Sequence, residues 1–200
     1  MKIGLNPAKD PARIKAANKA ISEATLFIDA NGAFTARRAI AMMEILSEFD
    51  VRWFEEPVPS DDRPGLTLIR ENASAVMDIV AGEYSYVLDD VRLMLQAGSV
   101  DVQQCDITRC GGITGILRAA SLCDAFHIPL SGHYAPSAHL HAACAAPRPR
   151  HPEWFHDHVR MEQMLFDGAP QARNSTIAPD LSQPGNGLTF NYKDAEIYAV

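Results

Sequence analysis

Five residues able to hold a metal ion or move a proton recur at similar intervals in this chain. Short apolar runs end at Asp29, Glu55, Glu83, Asp106 and His133, with steps of 26, 28, 23 and 27 residues between them. Asp29, Glu55 and Glu83 are carboxylates. Ligation by oxygen alone selects hard cations, and a few ligands with room left for water or substrate suit Mg²⁺. Three carboxylates close together would repel one another strongly without a cation between them. Asp106 and His133 can form a second device. A carboxylate that takes the proton of one imidazole nitrogen fixes the tautomer and makes the other nitrogen more basic. Lys2 precedes the three carboxylates; partly desolvated beside a divalent cation, its pKa should fall, so that it could act as a base.

Such residues converge only if the fold brings them to one end. A step of 23 to 28 residues has room for one strand, one helix and two loops, which is the size of a βα unit. Strands alternating with helices favour a parallel sheet, and in a β/α barrel all strand C-termini open onto one face, where the chemistry collects. The periodicity predicts helices over 10–22, 61–72, 86–96, 113–126 and about 136–145, and one that Thr35 can cap, with Ile40, Met43 and Leu46 as its apolar stripe; Ile116, Leu117 and Ala120 are expected to face inward on 113–126. Strands are predicted to end at the five residues above, with a strand stub at Met1–Gly4 and a further strand at Glu153–Phe155. Beyond Val159, turn formers such as Pro184-Gly185-Asn186-Gly187 thicken, and the tail is expected to be irregular. Six clear strands and a stub fall short of the eight that a whole barrel needs.

Composition narrows the class. The hydrophobic fraction of 47% and charged fraction of 22% are ordinary for a globular protein, and 200 residues can bury a sizeable core. A net charge of −7 argues against a nucleic-acid partner, which would be repelled. No apolar run has the length of a membrane span, and the N-terminus lacks the apolar core of a secretory signal, so a cytoplasmic location with no membrane partner is expected. The four cysteines show no CxxC spacing and read as free thiols. Cys110-Gly111-Gly112-Ile113-Thr114-Gly115 stands where a phosphate loop would, but the dinucleotide fingerprint is incomplete, and a tight βα turn is the better reading. His139 and His141 fall on the helix after His133 and read as structural. His156, Asp157 and His158 read as pocket lining at most.

Together these residues resemble the enolase superfamily, specifically its mandelate racemase subgroup, which includes the acid-sugar dehydratases. Lys2-Ile3-Gly4 looks like the end of that subgroup's Lys-x-Lys motif. Asp29-Ala30-Asn31, Trp53-Phe54-Glu55-Glu56-Pro57 and Gly82-Glu83 look like its three metal-ligand strands. Asp106 through Gly112 and Ser131-Gly132-His133 look like its Asp–His dyad, and Glu153 like a carboxylate on its last strand. The resemblance implies a (β/α)7β barrel of TIM type. It implies Mg²⁺ on Asp29, Glu55 and Glu83, with Lys2, His133 and Asp106 as catalytic residues and Asn31, Arg109, Glu153 and His156 against the substrate. The implied reaction removes the proton next to a substrate carboxylate, passes through an enediolate, and loses the β-hydroxyl of an acid sugar to give a 2-keto-3-deoxy acid. Against the family, the chain should lack the capping domain, the first barrel strand and most of the second. Residues 1–158 would then be a partial catalytic barrel, and 159–200 a tail that in the family packs on the cap. Lys2 would sit at a fraying terminus, and open barrel edges would favour a homo-oligomer. Two alternatives stay open: a racemase or epimerase of a 2-hydroxy acid, and a truncated fragment without turnover.

Overall fold

The computed structural model describes residues 1–199 as two compact units, Met1–Tyr84 with Asp89–Gln104, and Ser85–Leu88 with the chain from Cys105 onward. The first unit repeats a strand–helix pattern: α1 (Asp10–Ala20), β1 (Phe27–Asp29), α2 (Ala36–Ser47), β2 (Trp53–Glu55), α3 (Arg63–Asn72), β3 (Asp78–Ala81), α4 (Leu88–Gln96) and β4 (Val102–Cys105). Its strands pair in sequence order, and each pair is parallel. The register is in step: Asp29 lies opposite Glu55, and Phe27 opposite Trp53.

The strands are three or four residues long and almost wholly buried, as expected of a parallel sheet covered by helices. Trp53, Val80 and Val102 form a buried cluster against which Phe27 packs, the Phe27 and Trp53 rings stacking at 4.9 Å. Burial of each such side chain contributes about 1.5–3 kcal/mol. The helices bury one face: Ala39, Met42, Met43 and Leu46 on α2, and Leu66 and Ile69 on α3. Asp62 caps α3 by accepting from the Gly65 amide at 3.0 Å. Thr35 stands at the N-cap of α2, but its side chain makes no capping bond. The Met1–Gly4 segment does pair as a strand stub. Lys2 bridges Asp29 in parallel, and the Ile3 amide donates to the Asp29 carbonyl at 2.8 Å. Lys2 is therefore paired to the end of β1. Buried Asp10 helps hold it, accepting from the Gly4 amide at 2.7 Å and from Arg13 at 2.8 Å.

The second unit contains α5 (Gly112–Ala125), β5 (Leu130–Gly132), α6 (Pro136–Ala145), β6 (Pro149–Pro152), α7 (His156–Leu165), β7 (Phe166–Asp167), β8 (Thr189–Phe190), α8 (Tyr192–Ala195) and a 3₁₀ turn, Glu196–Tyr198. β5 and β6 pair in parallel with an irregularity at Gly132, and β7 and β8 pair antiparallel. Three expectations are corrected here. The strand expected at Glu153–Phe155 lies earlier, at Pro149–Pro152. The tail past Val159 is less irregular than its turn formers suggest: α7 runs to Leu165, and Phe166 meets Phe190 edge-on at 5.4 Å across the β7–β8 pair. On α5 the inward residues are Ile116, Ala119, Ala120 and Cys123, while Leu117 is partly exposed.

The glycine-rich stretch is a tight βα turn, as read. Gly111 caps α5 in the left-handed region, with φ 92°. A Cβ on Gly115 would lie 1.8 Å from the Cys110 carbonyl oxygen, so the helix approaches the turn too closely for any side chain there. Cys105, Cys110 and Cys123 are buried and Cys144 is exposed, and none of the four is in a disulfide. No helix among the described residues is long and apolar enough to cross a membrane.

Candidate metal and proton-transfer sites

The first unit assembles the three carboxylates. Asp29, Glu55 and Glu83 each offer an oxygen within 4.8 Å of the others, and all three residues are buried. Strand register alone brings Asp29 beside Glu55, since both end their strands at paired positions. Glu83 follows Gly82, whose φ of 127° is open to glycine and turns the chain at the end of β3. Two unit charges at such separations repel by roughly 3–4 kcal/mol at an effective dielectric constant near 20. A buried cluster of hard oxygen donors thus fits a divalent cation such as Mg²⁺ and is costly without positive charge.

Each donor is held in place. One oxygen of Asp29 accepts from the Asn31 amide at 2.7 Å, and the other from the Lys2 ammonium. The Trp53 indole donates to Glu55 Oε2 at 2.9 Å. Lys2 also donates to Asn31 Oδ1 at 2.6 Å. Burial lowers the Lys2 pKa, but the bond to Asp29 and the charges of Asp29, Glu83 and Glu55 together raise it above the ordinary lysine value. That rise belongs to the carboxylates alone; the expected fall belongs to a lysine beside a divalent cation.

Glu56 was not singled out by the sequence. It is buried in the left-handed region at φ 38°. Burial first, then the charges of Glu83 and Asp29, push its carboxyl up to about 8. The only sequence signal was its place in Glu55-Glu56-Pro57, and nothing in spacing distinguishes an inward acid from a turn residue.

The second unit assembles the dyad. His133 Nδ1 lies 2.9 Å from Asp106 Oδ2, and both side chains are buried. Thr108 donates to Asp106 Oδ1 twice, from its amide at 2.7 Å and its hydroxyl at 2.6 Å. Arg109 Nε stands 3.3 Å from Oδ2. Burial would raise the Asp106 pKa, but the bonds from His133 and Thr108 outweigh it and hold the group at about 2. Asp106 is therefore a carboxylate at neutral pH, the ring proton of neutral His133 sits on Nδ1, and the lone pair is on Nε2. That nitrogen is 4.0 Å from Glu153 Oε2, which in turn accepts from the Tyr134 amide at 3.1 Å. Tyr134 stacks on the His133 ring at 3.8 Å, and His158 lies 4.2 Å from Tyr134. His156 is exposed at the start of α7 and pairs with Asp157 at 3.1 Å. Of the two histidines there, His158 is the one whose ring joins the aromatic cluster around the dyad.

Comparison with known proteins follows the same lines. The family model for the enolase C-terminal domain-like proteins matches residues 1–195. A 3,6-anhydro-alpha-L-galactonate cycloisomerase of Streptomyces coelicolor is 28% identical over 200 residues, covering 96% of this chain and 52% of that protein. An L-talarate/galactarate dehydratase of Salmonella typhimurium is 29% identical over 175 residues, covering 84% of this chain and 43% of the relative. Among solved structures, a mandelate racemase/muconate lactonizing enzyme-like protein from Rubrobacter xylanophilus superposes with a TM-score of 0.95 at 42% identity, covering 100% of this chain and 56% of that one. A Polaromonas L-talarate dehydratase, crystallised with Mg and L-glucarate, superposes with a TM-score of 0.87 at 28% identity, covering 98% and 53%. The chain spans about half the length of the relatives it matches.

Proposed function

The chain belongs to the enolase C-terminal domain-like family, and from that premise we propose that it carries the catalytic portion of a Mg²⁺-dependent acid-sugar dehydratase. The observation that carries this reading is the convergence of Asp29, Glu55 and Glu83 within 4.8 Å in a chain that also holds an Asp106–His133 pair. A cation held by these three carboxylates would bind the substrate carboxylate and stabilise the charge that develops when the neighbouring carbon loses its proton.

The remaining roles fall to the chain's own groups. Asp106, ionised at neutral pH, keeps the His133 proton on Nδ1 and stabilises the imidazolium when Nε2 is protonated. His133 then gives its Nε2 proton to the departing β-hydroxyl, which leaves as water. The C–H and C–O bonds break, and the enol product rearranges to a 2-keto-3-deoxy acid. Lys2, once it has released a proton, is the candidate base; His133 can take the α-proton itself. Asn31, Arg109 and Glu153 are assigned to hold the substrate's polar groups. His156 is left out, being exposed and engaged with Asp157.

An epimerase would use the same residues and return the proton to the carbon. The test is a panel of acid sugars incubated with Mg²⁺ in D₂O. A dehydratase yields 2-keto-3-deoxy acids, and Glu55→Gln and His133→Asn abolish them. Deuterated substrate with its hydroxyl retained would mean an epimerase. Mg²⁺ binding with neither product across the panel would leave a metal-binding fragment and overturn the catalytic reading.

A further inference from the structure

We propose that His139, on the helix after the dyad, is a positioning residue that anchors the backbone after Asp106 to α6 and so sets the Asp106–His133 geometry. The inference rests on the reading of that pair as the proton-transfer device. His139 is 1% exposed. Its Nε2 lies 3.1 Å from the amide nitrogen of Ile107, the residue after Asp106, and 3.0 Å from the carbonyl oxygen of His133. With its proton on Nδ1 the ring accepts from Ile107; with its proton on Nε2 it donates to His133. Only one of the two contacts is a hydrogen bond in a given tautomer; with the proton on Nδ1, the bond from Ile107 anchors the residue after Asp106 to α6, the helix that follows His133. A backbone bond from the His133 amide to the Cys105 carbonyl, at 2.9 Å, holds the chain on the other side of the dyad.

The chain around His139 is shaped to bring the ring there. A Cβ on Gly132 would lie 2.7 Å from His139 Nδ1, so the residue before His133 is one that lets the imidazole lie against the strand. Tyr134 and Ala135 both take positive φ, 54° and 36°, which costs of order 1–2 kcal/mol for each non-glycine residue. That reversal lets α6 begin at Pro136 and fold His139 back over Gly132. Burial also holds the His139 pKa down to about 4, against the opposing pull of Asp106. The ring is thus neutral near pH 7, and in the tautomer with its proton on Nδ1 the Nε2 lone pair that Ile107 needs is available.

The experiment compares His139→Phe, which keeps a ring but no Nε2, with His139→Gln, which keeps a polar reach, in the full chain. The probes are Mg²⁺ alone and ¹⁵N-edited imidazole NMR, with far-ultraviolet circular dichroism to report the fold. His139→Phe is expected to fold and to bind Mg²⁺ within twofold of the parent affinity, while the His133 Nδ1 proton signal broadens away. Where turnover is measurable, kcat should fall on the order of 100-fold, the scale of a 1 Å misplacement, with KM within threefold. His139→Gln should restore the signal. A phenylalanine variant that keeps the His133 signal and titration midpoint would overturn the proposal, as would loss of the signal only together with the fold in both variants. Because the NMR signal needs no substrate, these outcomes are separate from failure of the dehydratase reading.

Discussion

Trp53 orients a proposed metal donor while building the core. Its indole N–H bonds Glu55 Oε2 at 2.9 Å, and its ring stacks on Phe27. Trp53→Phe removes the first contact and keeps most of the second. Loss of a partner that orients a ligand typically costs 10–100-fold in metal affinity, so Mg²⁺ calorimetry on this variant should show a dissociation constant weaker by about tenfold. An unchanged affinity would mean that Glu55 is held by packing alone. His139 offers a second test, in which acid is the variable. Its folded pKa of about 4 lies below the ordinary value of 6.5, so the unfolded chain takes up the proton first. Its contribution to stability is full above pH 6.5 and lost as pH falls towards 4, amounting to about 3 kcal/mol. Asp106, held at about 2 against 3.8, makes a separate contribution that is full above pH 3.8 and lost as pH falls towards 2. Urea unfolding at pH 7 and pH 5 should therefore show a smaller acid loss in His139→Gln than in the parent, because the glutamine cannot titrate. Equal losses would place the acid sensitivity elsewhere.

At the scale of elements, the approach of α5 to its preceding turn makes a sharp comparison between two neighbouring glycines. A Cβ at Gly115 would strike the Cys110 carbonyl at 1.8 Å, a backbone atom that no rotamer change can move. At Gly112 a Cβ meets nothing within 4 Å, and the only cost is its φ of 70°. Gly115→Ala should therefore lower unfolding stability by about 1–3 kcal/mol, and Gly112→Ala by about 1 kcal/mol, as read from urea midpoints. The reverse order would mean that α5 shifts freely. These elements were largely legible in the sequence. α3, α5 and α6 begin and end within a few residues of their periodic patterns, and the strand-end carboxylates were visible because a parallel sheet puts each strand's last residue at an equivalent place. β6 was misplaced because Pro149-Arg150-His151-Pro152 has no alternation and two residues without an amide donor; its pairing with β5 is a tertiary fact. The side-chain contacts of Trp53, Glu56, Tyr134 and His139 were illegible for the same reason. Each depends on which neighbour lies across a strand or turn, which periodicity does not encode.

At the scale of the whole molecule, the chain's two units hold different parts of the proposed chemistry, and this separates what metal and acid–base experiments should report. All three proposed metal donors and Lys2 fall in the first unit, and Asp106, His133 and His139 in the second. A ligand that binds only the folded state stabilises by RT ln(1 + [L]/Kd), about 2.7 kcal/mol at a hundredfold excess over Kd. Mg²⁺ should therefore raise the thermal midpoint, EDTA should reverse the rise, and Glu55→Gln should abolish it. Repulsion among the three carboxylates acts in the same direction, because the ion removes a penalty that the unliganded fold bears. Hydrogen exchange locates the effect. Added protection is expected at residues 29–31, 55–57 and 82–84, where the donors and their adjoining backbone lie, with one ion bound per chain. Stabilisation that survives Glu55→Gln, or protection absent from those three segments, would mean that the carboxylate cluster does not hold the ion.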